Sequence, residues 1–165
     1  MLNNLRIRSL IYAVLGAAQV AVFASASVVD PGVYVIRNVA FPNKVLDENK
    51  AHATGGWVLN GGANQKWLLI PLPDYGTIFT IQNCASKRYL HNSGQSVTTV
   101  PTSGTPYWSI SDLEEAVKEF FVVSMDNPVN RGLTMTGGTS ITAEEESGDT
   151  NQRWRFQNVG NSCPP

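Results

Sequence analysis

A four-residue segment that returns in the second half of the chain limits the fold more than any other feature of the sequence. Asn-Gln-Lys-Trp at positions 64–67 recurs as Asn-Gln-Arg-Trp at 151–154, and Thr-Pro-Tyr-Trp at 105–108 is an eroded third copy that keeps the tryptophan. The three tryptophans lie 41 and 46 positions apart, a period typical of one supersecondary unit in a repeat architecture. Each follows a strand-like apolar segment and a leucine, at Leu46, Leu90 and Leu133. These spacings predict three degenerate copies of one module.

The repeated Gln-x-Trp motif resembles that of the ricin B-type (QxW) β-trefoil lectins and carbohydrate-binding modules, especially the small secreted fungal proteins. The resemblance covers residues 33–157. It implies an all-β fold, namely a β-trefoil of three pseudo-repeats with four strands each, at about 32–75, 76–117 and 118–160. The alternative is another all-β sandwich in which Gln-x-Trp pairs recur by chance.

The N-terminal residues have the three-part composition of a secretory signal peptide. Arg6 and Arg8 precede an apolar run over residues 10–24, and small residues follow at 24–26. A transmembrane anchor is the alternative, but the run is shorter than the roughly 20 residues that a bilayer requires. We therefore expect a signal peptide at 1–26 with cleavage near Ala26 or Ser27, secretion, and one extracellular domain over 27–165.

The charge content narrows the range of partners. Charged residues make up 15% of the chain and the net charge is −1, whereas soluble proteins average roughly 25% charged residues. Such a chain has no cationic footprint for phosphate backbones or anionic membranes, so we expect neither nucleic acid binding nor membrane insertion. A surface built from Asn, Gly, Thr and Ser suits hydrogen bonding to hydroxyl-rich ligands. Glycans or polysaccharides are the expected partners.

Short apolar segments alternate with clusters of Gly, Pro and Asn along the chain, which indicates an antiparallel all-β domain. One stretch departs from this pattern, because Ser111 and Glu114 have the spacing of a capping box and predict a helical turn between the second and third repeats. The predicted strands are 32–38, 44–47, 56–59, 65–70, 77–83, 88–91, 97–100, 107–109, 119–125, 132–135, 140–143 and 152–156.

Cys84 and Cys163 are the two cysteines of the chain. A secreted pair is usually bridged, but in a trefoil Cys84 follows the first strand of the second repeat and Cys163 lies beyond the last strand of the third. The tail from Asn158 to Cys163 spans at most about 3.3–3.6 Å per residue, which barely reaches, so we favour unbridged thiols and keep the disulfide open as the alternative. The cysteines and histidines also lack the spacing of metal ligands, which predicts no metal site.

The titratable residues offer little that could catalyse a reaction. His52 and His91 have no adjacent Ser or Cys motif of an activated nucleophile, and are interpreted as surface histidines. Glu144, Glu145 and Glu146 form a run of like charges typical of a solvated loop, whereas a glycosidase needs two carboxylates held apart across a cleft. We therefore predict a binding protein without enzyme activity, catalytic residues or cofactor.

The resemblance assigns a core role to the tryptophans of the repeated motif and a ligand-binding role to other residues of the repeats. Trp67, Trp108 and Trp154, repeated around a pseudo-threefold axis, are interpreted as the core of a small barrel, where one large ring buries roughly 150–250 Å².

A family pocket has an Asp after the second-strand leucine, an aromatic on the third strand and an Asn beside the glutamine. The first repeat matches this pattern with Asp47, Trp57 and Asn64; Gln65 would brace the Asp, and Asn60 is a further polar candidate. An aromatic platform with carboxylate and amide groups suits the C–H face and hydroxyl edge of a sugar. The structural alternatives are a turn-capping carboxylate for Asp47 and a partly buried hairpin residue for Trp57.

The other repeats lack this set. The second has His91 at the Asp position, no aromatic over 97–100 and Pro106 in place of the glutamine, while the third has Thr134 and Glu144. A single sugar pocket is therefore predicted. Two other functions stay open: a β-trefoil protease inhibitor that uses the loops at 71–76 or 101–106, and an extracellular effector without a ligand.

Overall fold

The computed structural model describes residues 28–165 except Gln95 and residues 103–105, 115–117 and 127–130, so the predicted signal peptide at 1–26 lies outside the described residues. The described residues form an all-β fold, with two short 3-10 helices at Ala63–Gln65 and Thr150–Gln152. Its strands are β1 (Gly32–Asn38), β2 (Lys44–Glu48), β3 (Thr54–Val58), β4 (Trp67–Leu72), β5 (Tyr75–Asn83), β6 (Tyr89–Asn92), β7 (Val97–Val100), β8 (Trp108–Glu114), β9 (Glu119–Ser124), β10 (Arg131–Thr136), β11 (Ser140–Glu145) and β12 (Arg153–Gly160).

Antiparallel pairing closes part of this sheet into a barrel-like ring. β1 pairs with β4, β4 with β5, β5 with β8, β8 with β9, β9 with β12, and β12 returns to β1. Closure of this kind leaves the ring strands without an open edge. The remaining strands form the hairpins β2–β3, β6–β7 and β10–β11. No helix among the described residues is long and apolar enough to span a membrane.

Three fully buried tryptophans join the ring to the hairpins. Each indole N–H donates to the carbonyl of a buried leucine, so the largest core side chains also have their polar atom satisfied. The bonds are Trp67 Nε1 to Leu46 O (3.0 Å), Trp108 Nε1 to Leu90 O (2.9 Å) and Trp154 Nε1 to Leu133 O (2.8 Å). The repeated motif therefore serves packing and hydrogen bonding in the core.

A polar residue ends three of the ring strands in a similar way. Asn38 ends β1, and its Nδ2 donates to Asn151 O at 2.8 Å. Asn83 ends β5, and its Nδ2 donates to Asn64 O at 2.9 Å. Both Oδ1 atoms accept N–H groups two and three residues further on, which fixes the turn. Ser124, at the end of β9, accepts an N–H two residues on in the same manner.

The helical turn predicted from Ser111 and Glu114 is wrong, since both residues belong to β8. Ser111 pairs with Phe121 of the neighbouring strand β9, while Ile110 is buried on the opposite face. These two neighbours thus lie on opposite faces, as in a strand, and pairing with the apolar β9 overrides the local capping pattern. The predicted strand 107–109 thus continues to Glu114, and residues 115–117 lie outside the described part.

The prediction that the cysteines are unbridged is also wrong, because Cys84 and Cys163 form a disulfide with a Cα–Cα distance of 5.2 Å. Tyr34 pairs with both Asn158 and Trp67, and Trp67 pairs with Asn83. Asn158 is thus about three strand spacings, or roughly 14 Å, from the end of β5. The five residues that follow can extend roughly 16–18 Å. The prediction failed because it did not include pairing of β12 and β4 on either side of β1.

Candidate functional site

The carboxylate of Asp47 on β2 is held by two side-chain amides. Asn64 Nδ2 and Gln65 Nε2 each donate to Asp47 Oδ2 at 2.9 Å. Both bonds use the same oxygen, so neither occupies Oδ1. Hydrogen bonds to an ionised acceptor are stronger than those between neutral groups. The pair of amides fixes the carboxylate and leaves an acceptor for a further donor.

Gln65 is fully buried and is itself fixed at both ends. Its Oε1 accepts the N–H of Asn60 at 2.7 Å, and its Nε2 also donates to Val58 O at 2.9 Å. Because an unpaired buried amide would cost roughly 1–3 kcal/mol, this set of bonds defines one orientation of the side chain. Gln65 thus links the end of β3 to the Asp47 carboxylate.

Burial raises the pKa of Asp47 above its ordinary value near 3.8. The hydrogen bonds from Gln65 and Asn64 act in the opposite direction, and the neighbouring charge of Glu48 raises the pKa further. Desolvation disfavours the charged form of a carboxyl group, whereas donors to its oxygens favour it. The group remains half-exposed, so a ligand can reach it.

Trp57 on β3 is 58% exposed and lines the same cavity as Asp47, which has a volume of about 220 Å³. Gly55 lies directly opposite Asp47 in the hairpin, so the residue paired with Asp47 has no side chain that could cover the carboxylate. Lys44 Nζ lies 5.6 Å from the centre of the indole ring, within the range of a cation–π contact. The cavity therefore combines an aromatic surface with a fixed acceptor.

The turn between β10 and β11 forms a wall of this cavity. Thr139 lines it, and its carbonyl accepts the N–H of Gly56 at 2.8 Å. A Cβ at Gly56 would lie 2.7 Å from Gly138 O and 2.8 Å from Met135 Cε. Only glycine allows this approach of the two hairpins without displacement. The sequence comparison of single repeats missed Thr139, because its contribution depends on packing between hairpins distant in the chain.

The structure does not bring all the predicted residues into the cavity. Asp47 and Trp57 line it, while Asn64 and Gln65 support Asp47. Asn60 is exposed, and its Oδ1 accepts the N–H of Gly62 at 2.8 Å, so its side chain stabilises the turn that precedes Asn64. Asn49, which the sequence pattern did not single out, also lines the cavity.

The β10–β11 hairpin repeats the glutamine arrangement without a carboxylate. Gln152 Nε2 donates to Thr134 Oγ1 at 3.1 Å and to Glu145 O at 2.8 Å, and its Oε1 accepts the N–H of Ser147 at 2.8 Å. Thr134 is fully buried and also donates to Gly132 O. The bonding pattern around Gln65 thus recurs, but its acceptor is a buried hydroxyl that presents no charge to a ligand.

The β6–β7 hairpin has a carboxylate nearby that the pattern of single repeats did not predict. Asp126 Oδ1 accepts the N–H of Tyr107 at 3.3 Å, and the charge of Asp126 interacts with His91. Burial raises the pKa of Asp126, while the bond from Tyr107 and the charge of His91 lower it. The carboxylate reaches this position from beyond β9, so it could not be found by aligning β6 with β2.

No group of three or more potential metal-ligating side chains occurs in the described part of the chain.

Comparison with known proteins agrees with this architecture. A family model described as a Ricin-type beta-trefoil lectin domain-like family matches residues 19–108. The chain is similar to the Macrolepiota procera ricin B-like lectin in complex with lactose, at 22% identity and a TM-score of 0.67 over 79% of this chain and 99% of that chain. It is similar to the Rhizoctonia solani agglutinin at 22% identity and a TM-score of 0.67, over 79% and 97% of the two chains.

An enzyme is also among the similar structures. The chain is similar to 1,3Gal43A, an exo-beta-1,3-galactanase from Clostridium thermocellum, at 22% identity and a TM-score of 0.66, covering 79% of this chain and 31% of that chain. At such identities these likenesses show the fold. The family model, however, covers more than half of the chain, and the chain therefore belongs to the ricin-type β-trefoil lectin-like family.

Proposed function

We propose that the protein is a secreted, non-enzymatic glycan-binding protein that holds a sugar in a single pocket at Asp47 and Trp57. The observation that carries the proposal is the hydrogen bonding of Asp47, whose Oδ2 accepts both supporting amides beside a largely exposed indole. A sugar hydroxyl would donate to Oδ1, while the C–H face of the ring would pack on Trp57. An acceptor and an apolar platform held in fixed positions reduce the ordering cost of binding.

The proposed pocket belongs to the first of three four-stranded repeats. Recurrence of the tryptophan–leucine hydrogen bond in β4, β8 and β12 supports this division. The matching environments of Gln65 and Gln152 support it further. On this division Asp47 and Thr134 occupy equivalent positions, and the carboxylate is what distinguishes the proposed pocket from its counterpart.

The carboxylates around the cavity support the proposal of binding without catalysis. Glu48, adjacent to Asp47, is only 4% exposed, and its Oε1 interacts with Thr99 Oγ1 at 2.5 Å and His52 Nδ1 at 3.1 Å. Asp47 is the sole carboxylate among the described residues lining this cavity. Hydrolysis of a glycosidic bond ordinarily uses two carboxyl groups that flank it, so the arrangement favours recognition.

A glycan array with matched variants tests the proposal. Asp47→Asn should lower the affinity for a bound glycan about ten- to a hundred-fold, because a hydrogen bond to a charged group is worth roughly 1.5–3 kcal/mol. Asp74→Asn removes the same charge from an exposed turn and should leave the glycan affinity unchanged. Equal binding by wild type and Asp47→Asn would overturn the proposed site.

The aromatic platform has its own matched control. Trp57 and Tyr75 are each 58% exposed, so replacing either by alanine removes a comparably accessible ring. Trp57→Ala should abolish detectable glycan binding at array concentrations, whereas Tyr75→Ala should bind as wild type does. Binding that survives Trp57→Ala would exclude stacking on this indole.

A further inference from the structure

A second and larger cavity lies next to the proposed sugar pocket. It has a volume of about 580 Å³ and runs between the β2–β3 loop and the turn that connects β5 to β6. Asn49, Lys50 and His52 line it from the loop, and Ala85 and Ser86 line it from the turn. We refer to it below as the inter-hairpin groove.

Two residues connect the groove to the pocket. Asn49 lines both cavities. Asn64 lines the groove, and its Nδ2 donates to Asp47 Oδ2 at 2.9 Å and to Glu48 O at 3.2 Å. A ligand whose first part lies against Asp47 can therefore extend past these two amides into the groove.

The wall formed by the β2–β3 loop is held in a defined shape. Asn49 Oδ1 accepts the N–H groups of Ala51 and Ala53 at 2.8 and 3.1 Å, and the N–H of His52 donates to Asn49 O at 3.0 Å. His52 has a φ of +62°, a left-handed conformation that is uncommon outside glycine. Its Nδ1 contacts the buried carboxylate of Glu48, so Nε2 is left for a ligand.

The groove has a mainly apolar lining with a few polar groups, which suits the C–H faces and the hydroxyl groups of a sugar. Lys50 has no ion-pair partner among the described residues, which leaves its ammonium group available as a donor to hydroxyl or ring oxygens. Ser86 Oγ accepts the N–H of Arg88 at 3.2 Å, and its hydroxyl hydrogen is left to donate to a ligand. The carboxylate that faces the groove, Glu48, is already engaged by His52 and Thr99. The lining thus offers hydrogen bonds without an uncompensated negative charge.

The two volumes differ in a way that bears on ligand size. The pocket at Asp47 and Trp57, with about 220 Å³, is smaller than the roughly 300–1,000 Å³ usual for small-molecule sites, whereas the groove falls within that range. We infer that the groove is a second saccharide subsite, and that the ligand is an oligosaccharide whose next residue extends from Asp47 past Asn64 towards Lys50 and Ser86. This inference rests on the proposed function of the Asp47 pocket.

Ala85 provides a way to fill the groove without altering the pocket. Its side chain is exposed, and its N–H donates to Asn83 Oδ1 in the turn after β5. Ala40 is also exposed and makes the same bond to Asn38 Oδ1 in the turn after β1. Ala85→Trp should therefore block the groove, and Ala40→Trp places the same bulk in a matching turn elsewhere.

The experiment is titration calorimetry of the disulfide-bonded protein with three monosaccharides and their disaccharides. The probes are galactose and lactose, glucose and cellobiose, and N-acetylglucosamine and di-N-acetylchitobiose. For the series that binds, the disaccharide should bind wild type about three- to ten-fold more tightly than the monosaccharide, as one or two added hydrogen bonds allow. Ala85→Trp should remove this gain and leave monosaccharide affinity unchanged, while Ala40→Trp should keep it.

The outcomes separate this inference from the proposed function. Asp47→Asn should weaken the binding of both sugars about ten- to a hundred-fold. Unchanged affinity in this variant, or no binding of wild type in any series, would overturn the proposed function together with the inference. If Asp47→Asn weakens binding as expected but wild type binds the monosaccharide and the disaccharide equally, the Asp47 pocket stands and the second subsite is refuted. The second subsite is likewise refuted if Ala85→Trp keeps the disaccharide gain. Lys50→Met, which removes the ammonium group and keeps an unbranched apolar side chain, should reduce the gain without changing monosaccharide affinity.

Discussion

Gln65 donates from its buried Nε2 to Asp47 Oδ2 at 2.9 Å, while its Oε1 accepts the N–H of Asn60. The glutamine of the repeated motif therefore joins the turn before the motif to the carboxylate of the proposed site. Because Gln65 is fully buried, it would not contact a sugar directly and could influence binding only through Asp47. The same residue type thus serves folding in one hairpin and, on the proposed function, would serve both folding and ligand positioning in another.

Two matched substitutions separate these roles. Gln65→Met and Gln152→Met each leave buried groups without a partner, and each should lower the free energy of unfolding by about 1–3 kcal/mol, measured by urea denaturation. Only Gln65→Met should also weaken glycan binding, because Gln152 contacts Thr134 rather than a carboxylate. If both variants bind glycan as wild type does, Gln65 does not position Asp47.

The pH dependence of binding should reflect the raised pKa of Asp47. Glycan affinity should fall on acidification with a midpoint above 3.8, because burial favours the protonated carboxyl group, which is a poorer acceptor for a sugar hydroxyl. The pH dependence of stability has the opposite sign to that of glycan affinity. The folded-state pKa lies above the unfolded value, so ionisation of Asp47 opposes folding, and this loss of stability develops as pH rises from 3.8 through the raised pKa.

An NMR titration of the Asp47 carboxyl carbon measures this pKa directly. A midpoint at or below the ordinary value would show that the amides of Asn64 and Gln65 outweigh the effect of burial. Calorimetry across the acidic range up to neutral pH supplies the affinity profile, and residual binding by Asp47→Asn should be independent of pH over the same range.

The buried tryptophans should be structural. Trp67→Ala or Trp154→Ala should cost about 3–5 kcal/mol of stability, since each removes a fully buried large ring and its hydrogen bond. Trp57→Ala, at an exposed position, should stay within about 0.5 kcal/mol of wild type. Chemical denaturation checks all three, and a Trp67→Ala protein as stable as wild type but defective in binding would contradict the core assignment.

The disulfide should matter for stability more than for recognition. Cys84 and Cys163 are separated by 79 positions, and closure of a loop of this length corresponds to roughly 4.5 kcal/mol of lost unfolded-state entropy in the chain-entropy treatment. Cys84→Ser with Cys163→Ser should lower the urea midpoint accordingly, while the protein that remains folded should retain its glycan affinity. Lost affinity in the fully folded double variant would show that the disulfide supports the site.

Much of the fold could be predicted from local sequence. Alternation and turn residues located β1 and β7 to the residue, and placed most other strands within about two residues, as is usual for boundaries. The two incorrect predictions, the helical turn and the unbridged cysteines, depended on pairing between strands distant in the sequence. Ser111 and Glu114 have a helical capping pattern that pairing with β9 overrides, and the reach of Cys163 to Cys84 depends on β12 and β4 flanking β1.

The site shows the same division. Asp47 and Trp57 could be predicted to share a cavity because they lie on one hairpin, at positions set by its register. The sequence could not predict the contributions from other hairpins and turns, because these depend on packing between segments distant in the chain. They come from Thr139, Asp126 and the groove residues Ala85 and Ser86. Asn60 was predicted to be a ligand contact, a role that stays a prediction, while its side-chain oxygen stabilises a local turn.

The most direct test of the account is the number of sugars bound per chain. Titration calorimetry of wild type and Asp47→Asn, with molar mass from light scattering on the same samples, should give one sugar per wild-type chain and an affinity about ten- to a hundred-fold lower for the variant. A monomer with one site should also fail to agglutinate cells, because it lacks the effective concentration that several linked sites provide. Two or three sugars per chain, or unchanged affinity in Asp47→Asn, would contradict a single pocket at Asp47.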